Sequence, residues 1–203
     1  MMKSFVPGKR FIFGMIVSLL ILSTSSGVLS QVQGKKVVMV VPLKDFWDIE
    51  LTTVKEIFEE NGLMVTIASS TLKEAKGMFG TKIKPDVVLS KVRGTLYDAI
   101  VFVGGEGAIQ YWDDPDAHRL VKTAFKEGKV LGAISIAPIT LANTKVLKGR
   151  RATVWSTLGK RLEGSGAIYT GNPLEVDGNI VTADSYEAAE QFAKTILSMI
   201  LQK

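Results

Sequence analysis

Three apolar runs constrain this chain most. Lys36 to Pro42 (KVVMVVP), Asp98 to Val103 (DAIVFV) and Val130 to Ile134 (VLGAI) lack the polar alternation of a strand with one wet face. Such runs read as strands buried on both sides. Helical patterns separate them. Asp48 to Asn61 places Ile49, Val54, Ile57 and Phe58 on one face, and Asn61-Gly62 ends it. Asp113-Asp114-Pro115 starts a second helix, with acidic residues and proline at its first turn, and Glu127-Gly128 stops it after Lys126. Tyr186 to Leu201 closes the chain as a helix with Ala189, Phe192, Ala193, Ile196, Met199 and Ile200 on its apolar side. Met64 to Ala68 is a further strand. Leu174 to Val176 and Asn179 to Ala183 flank Asp177-Gly178 as a tight hairpin. Ile83 to Val92 reads as a small extended pair turning at Pro85-Asp86, and Ala152 to Val154 as a short strand. Strands alternating with helices predict an α/β fold with a mostly parallel sheet covered on both faces. Sites in such sheets lie beyond the carboxyl ends of the strands. Three loops fall there: Leu43 to Glu50, Gly104 to Gly107, and Ser135 to Ala137.

The N-terminus has a different character. Lys3, Lys9 and Arg10 precede a twelve-residue run, Phe11 to Leu22, and Val28-Leu29-Ser30 offers a small-residue cleavage site before Gln31. Residues 1–30 therefore read as an export signal, with 31–203 as one domain outside the cytoplasm, periplasmic, extracellular or membrane-anchored. An uncleaved anchor is the alternative. The run is shorter than the ~20 residues of a spanning helix, although Phe11 to Leu29 would just stretch across. The net charge of +5 comes from 25 basic and 20 acidic residues, and three of the basic ones lie in residues 1–30. The remaining domain stands at 22 against 20, or +2. That balance is no nucleic-acid footprint. The small cluster Lys148-Gly149-Arg150-Arg151 reads as a solvated loop.

The chain has no cysteine and one histidine. Disulfides, thiolate nucleophiles and cysteine-ligated metals are excluded. His118 lies in the first half of the second helix, where a solvated surface position is expected. A mononuclear metal site lacks ligands, and no cofactor motif is present. Gly104-Gly105-Glu106-Gly107-Ala108 has neither dinucleotide-binding spacing nor a phosphate-loop lysine. Two glycines after a buried strand still present backbone N–H groups to an anion or carbonyl oxygen.

The junction VLGAISIAP, where an apolar strand breaks at Ser135 into a helix opened by Pro138, resembles a nucleophile elbow. Four stretches together resemble the ThiJ/PfpI family of the class I glutamine amidotransferase-like superfamily: FWDIELTTVKEIFEENG, YDAIVFVGGEGA, VLGAISIAP and VDGNIVTADSYEAAEQFA. The resemblance covers the chain from about Lys35 to its end. It implies a flavodoxin-like three-layer sandwich, often a homodimer or higher homo-oligomer. It also implies a site built from an elbow cysteine, a partner glutamate and oxyanion-binding amides. By position these become Ser135, Glu50, and the backbones of Gly105 and Ile136, with Gly104 beside them. The family's common histidine positions are occupied by Ile136 and Trp155. Phe46, Trp47, Trp112 and Trp155 lie on or near the cleft loops. Phe46 and Trp155 are taken as candidate pocket residues, with core or lid packing as the alternative.

The missing thiol divides the functional readings. A serine hydroxyl is far less acidic than a thiol and needs a hydrogen-bonded base, and Glu50 is the one candidate the resemblance brings near. A carboxylate suits that role only if burial raises its pKa greatly. Ser135 is then either a small residue filling a tight turn and bonding Glu50, or a nucleophile. Glu50 is either an early-helix carboxylate satisfied by backbone N–H groups, or a functional group. The first expectation is an exported domain that binds a small ligand or a partner, without cysteine chemistry. The second is a serine-dependent hydrolase, peptidase- or glyoxalase/deglycase-like. A stress-related holdase is a third, implied by relatives alone.

Overall fold

The computed structural model describes residues 34–202; the predicted export signal lies outside them. Twelve strands appear in chain order. These are β1 (Lys36–Val40), β2 (Lys44–Phe46), β3 (Met64–Ser69), β4 (Ala75–Gly77), β5 (Lys82–Ile83) and β6 (Val87–Val88), then β7 (Ala99–Phe102), β8 (Val130–Ile134), β9 (Arg151–Ala152), β10 (Ile168–Tyr169), β11 (Leu174–Asp177) and β12 (Ile180–Ala183). The α-helices are α1 (Asp48–Glu60), α2 (Pro115–Lys126), α3 (Pro138–Asn143), α4 (Gly159–Gly164) and α5 (Ala189–Leu201). The main sheet has seven strands in the order β11-β12-β8-β7-β1-β3-β6. Every neighbouring pair is parallel except the β11–β12 hairpin. The fold is the expected α/β sandwich with a mostly parallel sheet.

The apolar runs explain the layers. Successive strand residues face opposite sides. In β1, Val37 and Met39 enter one core with α1 and α5, while Val38 and Val40 enter the other with α2 and α3. β7 does the same, Val101 on the first side and Ile100 and Phe102 on the second. Both sides are sealed, so apart from the exposed Lys36 at the start of β1 these strands have no polar position. The second helix is capped as predicted: Asp114 accepts from the Ala117 amide at 2.8 Å and Pro115 occupies the first turn.

Four local expectations change. In α1 the buried apolar residues are Leu51, Val54 and Phe58, while Ile49 is 48% exposed, so the apolar stripe begins two residues later. Ile83 to Val92 is not a self-paired excursion. β5 pairs with β4, and β6 joins the main sheet beside β3. The short strand is Arg151–Ala152 rather than Ala152 to Val154, and it pairs with β10. The basic cluster lies on an exposed turn, as expected, but its two arginines are paired rather than free. Arg150 pairs with Asp177 at 2.6 Å, and Arg151 meets Glu175 through two nitrogens at 2.9 and 3.2 Å. These bidentate contacts tie β9 to the hairpin.

Candidate active site

The candidate site forms where β8, β7 and β12 end. The β8 strand is buried along its whole length and stops at Ser135, whose φ is +62°. A left-handed conformation at a residue with a Cβ costs about 1–2 kcal/mol. Two backbone bonds hold it there. The Ser135 amide donates to the Ala183 carbonyl at the end of β12, and its carbonyl accepts from the Trp155 amide, both at 2.9 Å. The elbow geometry expected from VLGAISIAP is present.

Glu50 reaches the same point from the first turn of α1. It is 1% exposed. Its Oε2 accepts from the Gly104 amide at 2.9 Å, and the Ser135 side chain lies near enough to act on its carboxyl. Burial, aided by the nearby Glu187 charge, pushes its pKa up to about 8 against the pull of the Gly104 amide and Ser135. At neutral pH Glu50 is mostly a neutral acid. The approach requires glycine at 104: a Cβ there would lie 2.6 Å from both Glu50 Oε2 and the Ser135 Cβ.

The cleft above these groups holds about 190 Å³ and is lined by Trp47, Glu50, Met78, Gly105, Glu106, Ser135, Ile136, Trp155 and Tyr186. Of the sequence candidates, it brings together Ser135, Glu50, Gly105, Ile136 and Trp155. Two are placed otherwise. Phe46 is fully buried in the core beside Leu51 and Val54, because it is the inward-facing end of β2; the next residue, Trp47, forms the wall. Gly104 is no ligand donor, because its N–H is spent on the buried Glu50 carboxyl. Gly105 and Ile136 line the cleft, and their amides have no acceptor among the described residues.

Other wall residues carried no sequence signal. Tyr186 stacks on Trp47 with ring centroids 5.3 Å apart and 11° between planes, and Phe79 meets Trp47 edge-on at the same distance. The segment bearing Met78 and Phe79 is pinned by Asp48. The Phe79 and Thr81 amides donate to its two carboxylate oxygens at 2.9 and 2.7 Å. Burial works to raise the Asp48 pKa, but these bonds together outweigh it and hold the group ionised. Trp112 lies outside the cleft and steadies its floor, its indole N–H donating to the Ile136 carbonyl at 3.1 Å. His118 is also outside the cleft. It is not the solvated residue expected, since its Nε2 contacts the Trp112 carbonyl at 2.7 Å. Asn143 donates to that carbonyl as well. Among the described residues, no group of three His, Cys, Asp or Glu side chains is placed to hold a metal.

Residues 35–199 match the model of the DJ-1/PfpI family. The chain belongs to that family. It is 37% identical over 188 residues to an uncharacterized protein of Methanocaldococcus jannaschii, covering 91% of this chain and 92% of that one. It is 27% identical to a glutathione-independent glyoxalase of Caenorhabditis elegans, over 82% of this chain and 89% of the relative. The crystal structure of a ThiJ/PfpI domain protein from Brachyspira murdochii superposes with a TM-score of 0.81 at 28% identity, covering 84% of this chain and 99% of that one.

Proposed function

We propose that this DJ-1/PfpI chain is an exported binding protein in which Ser135 stands where its relatives carry a reactive cysteine. Its cleft grips one oxygen-bearing end of a small ligand. The observation that carries this is the state of Glu50. A buried, mostly protonated carboxyl beside Ser135 is a hydrogen-bond donor at neutral pH, and with the Gly105 and Ile136 amides it makes a site rich in donors. Donors converging on one place suit a carbonyl or carboxylate oxygen. No histidine, cysteine or lysine lines the cleft. The Ser135 hydroxyl is therefore left with a base many pKa units too weak to hold its proton.

One observation favours a second reading, a serine-dependent hydrolase or glyoxalase-like enzyme. The +62° φ of Ser135 is strain of the kind elbow nucleophiles store, and a carboxyl near pH 8 is poised to exchange a proton around neutrality. Ser135 Oγ would then attack a carbonyl carbon, pass its proton to Glu50 in the fraction of molecules where that carboxyl is ionised, and leave the oxyanion to Gly105 and Ile136.

A serine-reactive fluorophosphonate separates the two. The purified protein should remain unlabelled after hours at pH 8. Stoichiometric labelling that disappears in Ser135→Ala would overturn the binding reading in favour of the hydrolase. Export is supported by the basic, apolar and small-residue order of residues 1–30. N-terminal sequencing of protein recovered from outside the cytoplasm should begin at Gln31. A start at residue 1 or 2 would mean an uncleaved anchor.

A further inference from the structure

The donors at Gly105, Ile136 and Glu50 serve one end of a ligand. The rest of the cleft has a different chemistry. Its lining includes Trp47, Trp155 and Tyr186, with Met78 and Ile136 beside them. Trp155 is 41% exposed at the rim, high for so large an apolar side chain. The charged lining residue besides Glu50 is Glu106, which is exposed, and Glu187 lies next to Tyr186 and near enough to act on Glu50 by charge. No lysine or arginine lines the cleft, although residues 31–203 carry 22 basic against 20 acidic side chains. A cleft shaped only for an anion would be expected to draw on that basic excess.

Aromatic faces with carboxylates beside them attract cations. A ring face carries negative charge, and an ammonium group held against it loses less on leaving water than it does against aliphatic walls. We infer that the ligand is zwitterionic or amine-bearing. Its carboxylate or carbonyl oxygen meets the Gly105 and Ile136 amides, and a substituted ammonium group sits against Trp155 beside the Trp47–Tyr186 stack, with Glu106 at the mouth. This rests on the donor-site reading proposed above for the oxygen end. The walls add what that reading lacks, a reason to prefer a positive charge a few bonds from the oxygen. The small volume, about 190 Å³, limits the ligand to the scale of a modified amino acid.

Three probes test the two ends separately by calorimetry on the full-length chain at pH 7. Glycine betaine carries both groups. 3,3-Dimethylbutanoate has the same carboxylate and shape with carbon in place of the charged nitrogen. Tetramethylammonium has only the cation. Betaine should bind at least about tenfold more tightly than 3,3-dimethylbutanoate, a difference of about 1.4 kcal/mol. The preference should shrink to about two- to threefold in Trp155→Ala and in Glu106→Gln, both at the rim where the fold does not depend on them. Equal affinity for betaine and 3,3-dimethylbutanoate would overturn the cation site and leave the oxygen site standing. Tetramethylammonium binding as tightly as betaine would do the reverse. Absence of betaine binding up to about 10 mM would overturn the inference as a whole.

Discussion

Raising the pH from 5 to 8 should cost the folded protein about 3.5 kcal/mol through Glu50 alone, and Glu50→Gln should remove that slope. The sign follows from where the proton resides. In the folded protein Glu50 titrates at about 8, against an ordinary value of 4.5. Between those values the native state holds a proton that the unfolded chain releases. Folding is favoured in full below pH 4.5, and the advantage is lost as the pH climbs through 8. Most carboxylates in salt bridges behave in the opposite way. Glutamine keeps the neutral shape, accepts from the Gly104 amide and donates toward Ser135, so the variant should fold well. Urea midpoints for both proteins at pH 5, 6, 7 and 8 measure the effect. Parallel curves would mean that Glu50 is ionised in its pocket, and the donor-rich site would be lost with it. The same titration should weaken carboxylate binding above pH 8, because the group then presents a negative charge to the ligand.

The legible parts of this structure are those decided by burial on a scale the sequence can show. β1, β7 and β8 are covered on both faces, so they appear as apolar runs without alternation. Ser135 is legible because strand, small residue and proline-led helix follow one another directly. Glu50 was found through its place in a family pattern; its own neighbourhood, an acidic first helical turn, is shared by Asp48, whose carboxylate instead pins the 77–81 segment. What failed to show depends on chain crossings. β2, β4 and β5 are two or three residues long and have no period to detect. Phe46 enters the core and Trp47 the cleft because one residue along an extended segment reverses the face, and only the packing of β2 fixes which ring goes where. Likewise, two adjacent glycines offer two amides, and the arrival of Glu50 from 54 residues away decides that Gly104 is consumed and Gly105 left free. Tyr186 joins the cleft only because β12 delivers it opposite Trp47.

Gly105→Ala should be among the most destabilising single substitutions in this domain, by about 4 kcal/mol or more, and should abolish the cleft. Gly105 has a φ of +91°, where a side chain is strained in any surroundings. Its added Cβ would also stand 2.4 Å from the Asp45 carbonyl oxygen and the Trp47 amide nitrogen, and 2.6 Å from the Phe46 carbonyl carbon. All three are backbone atoms, so no rotamer change can make room. Relief requires the 45–47 segment to withdraw, and that segment leads directly into α1. It is also held to this place by the Trp47 amide, which donates to the Gly104 carbonyl at 3.2 Å. Withdrawal would draw Glu50 from Ser135 and open its pocket to water, so the carboxyl pKa should fall back toward its ordinary value. Gly149→Ala is the matched control. Its φ of +72° imposes similar backbone strain, but no heavy atom lies within 4 Å of the new Cβ, so a loss of only about 1–2 kcal/mol is expected. If the two variants unfold at the same urea concentration, the close approach of the Gly105 turn to the 45–47 segment does not hold the site together. If Gly105→Ala unfolds far earlier and its remaining stability no longer falls between pH 5 and 8, one contact supports both the fold at this corner and the unusual acid of its cleft.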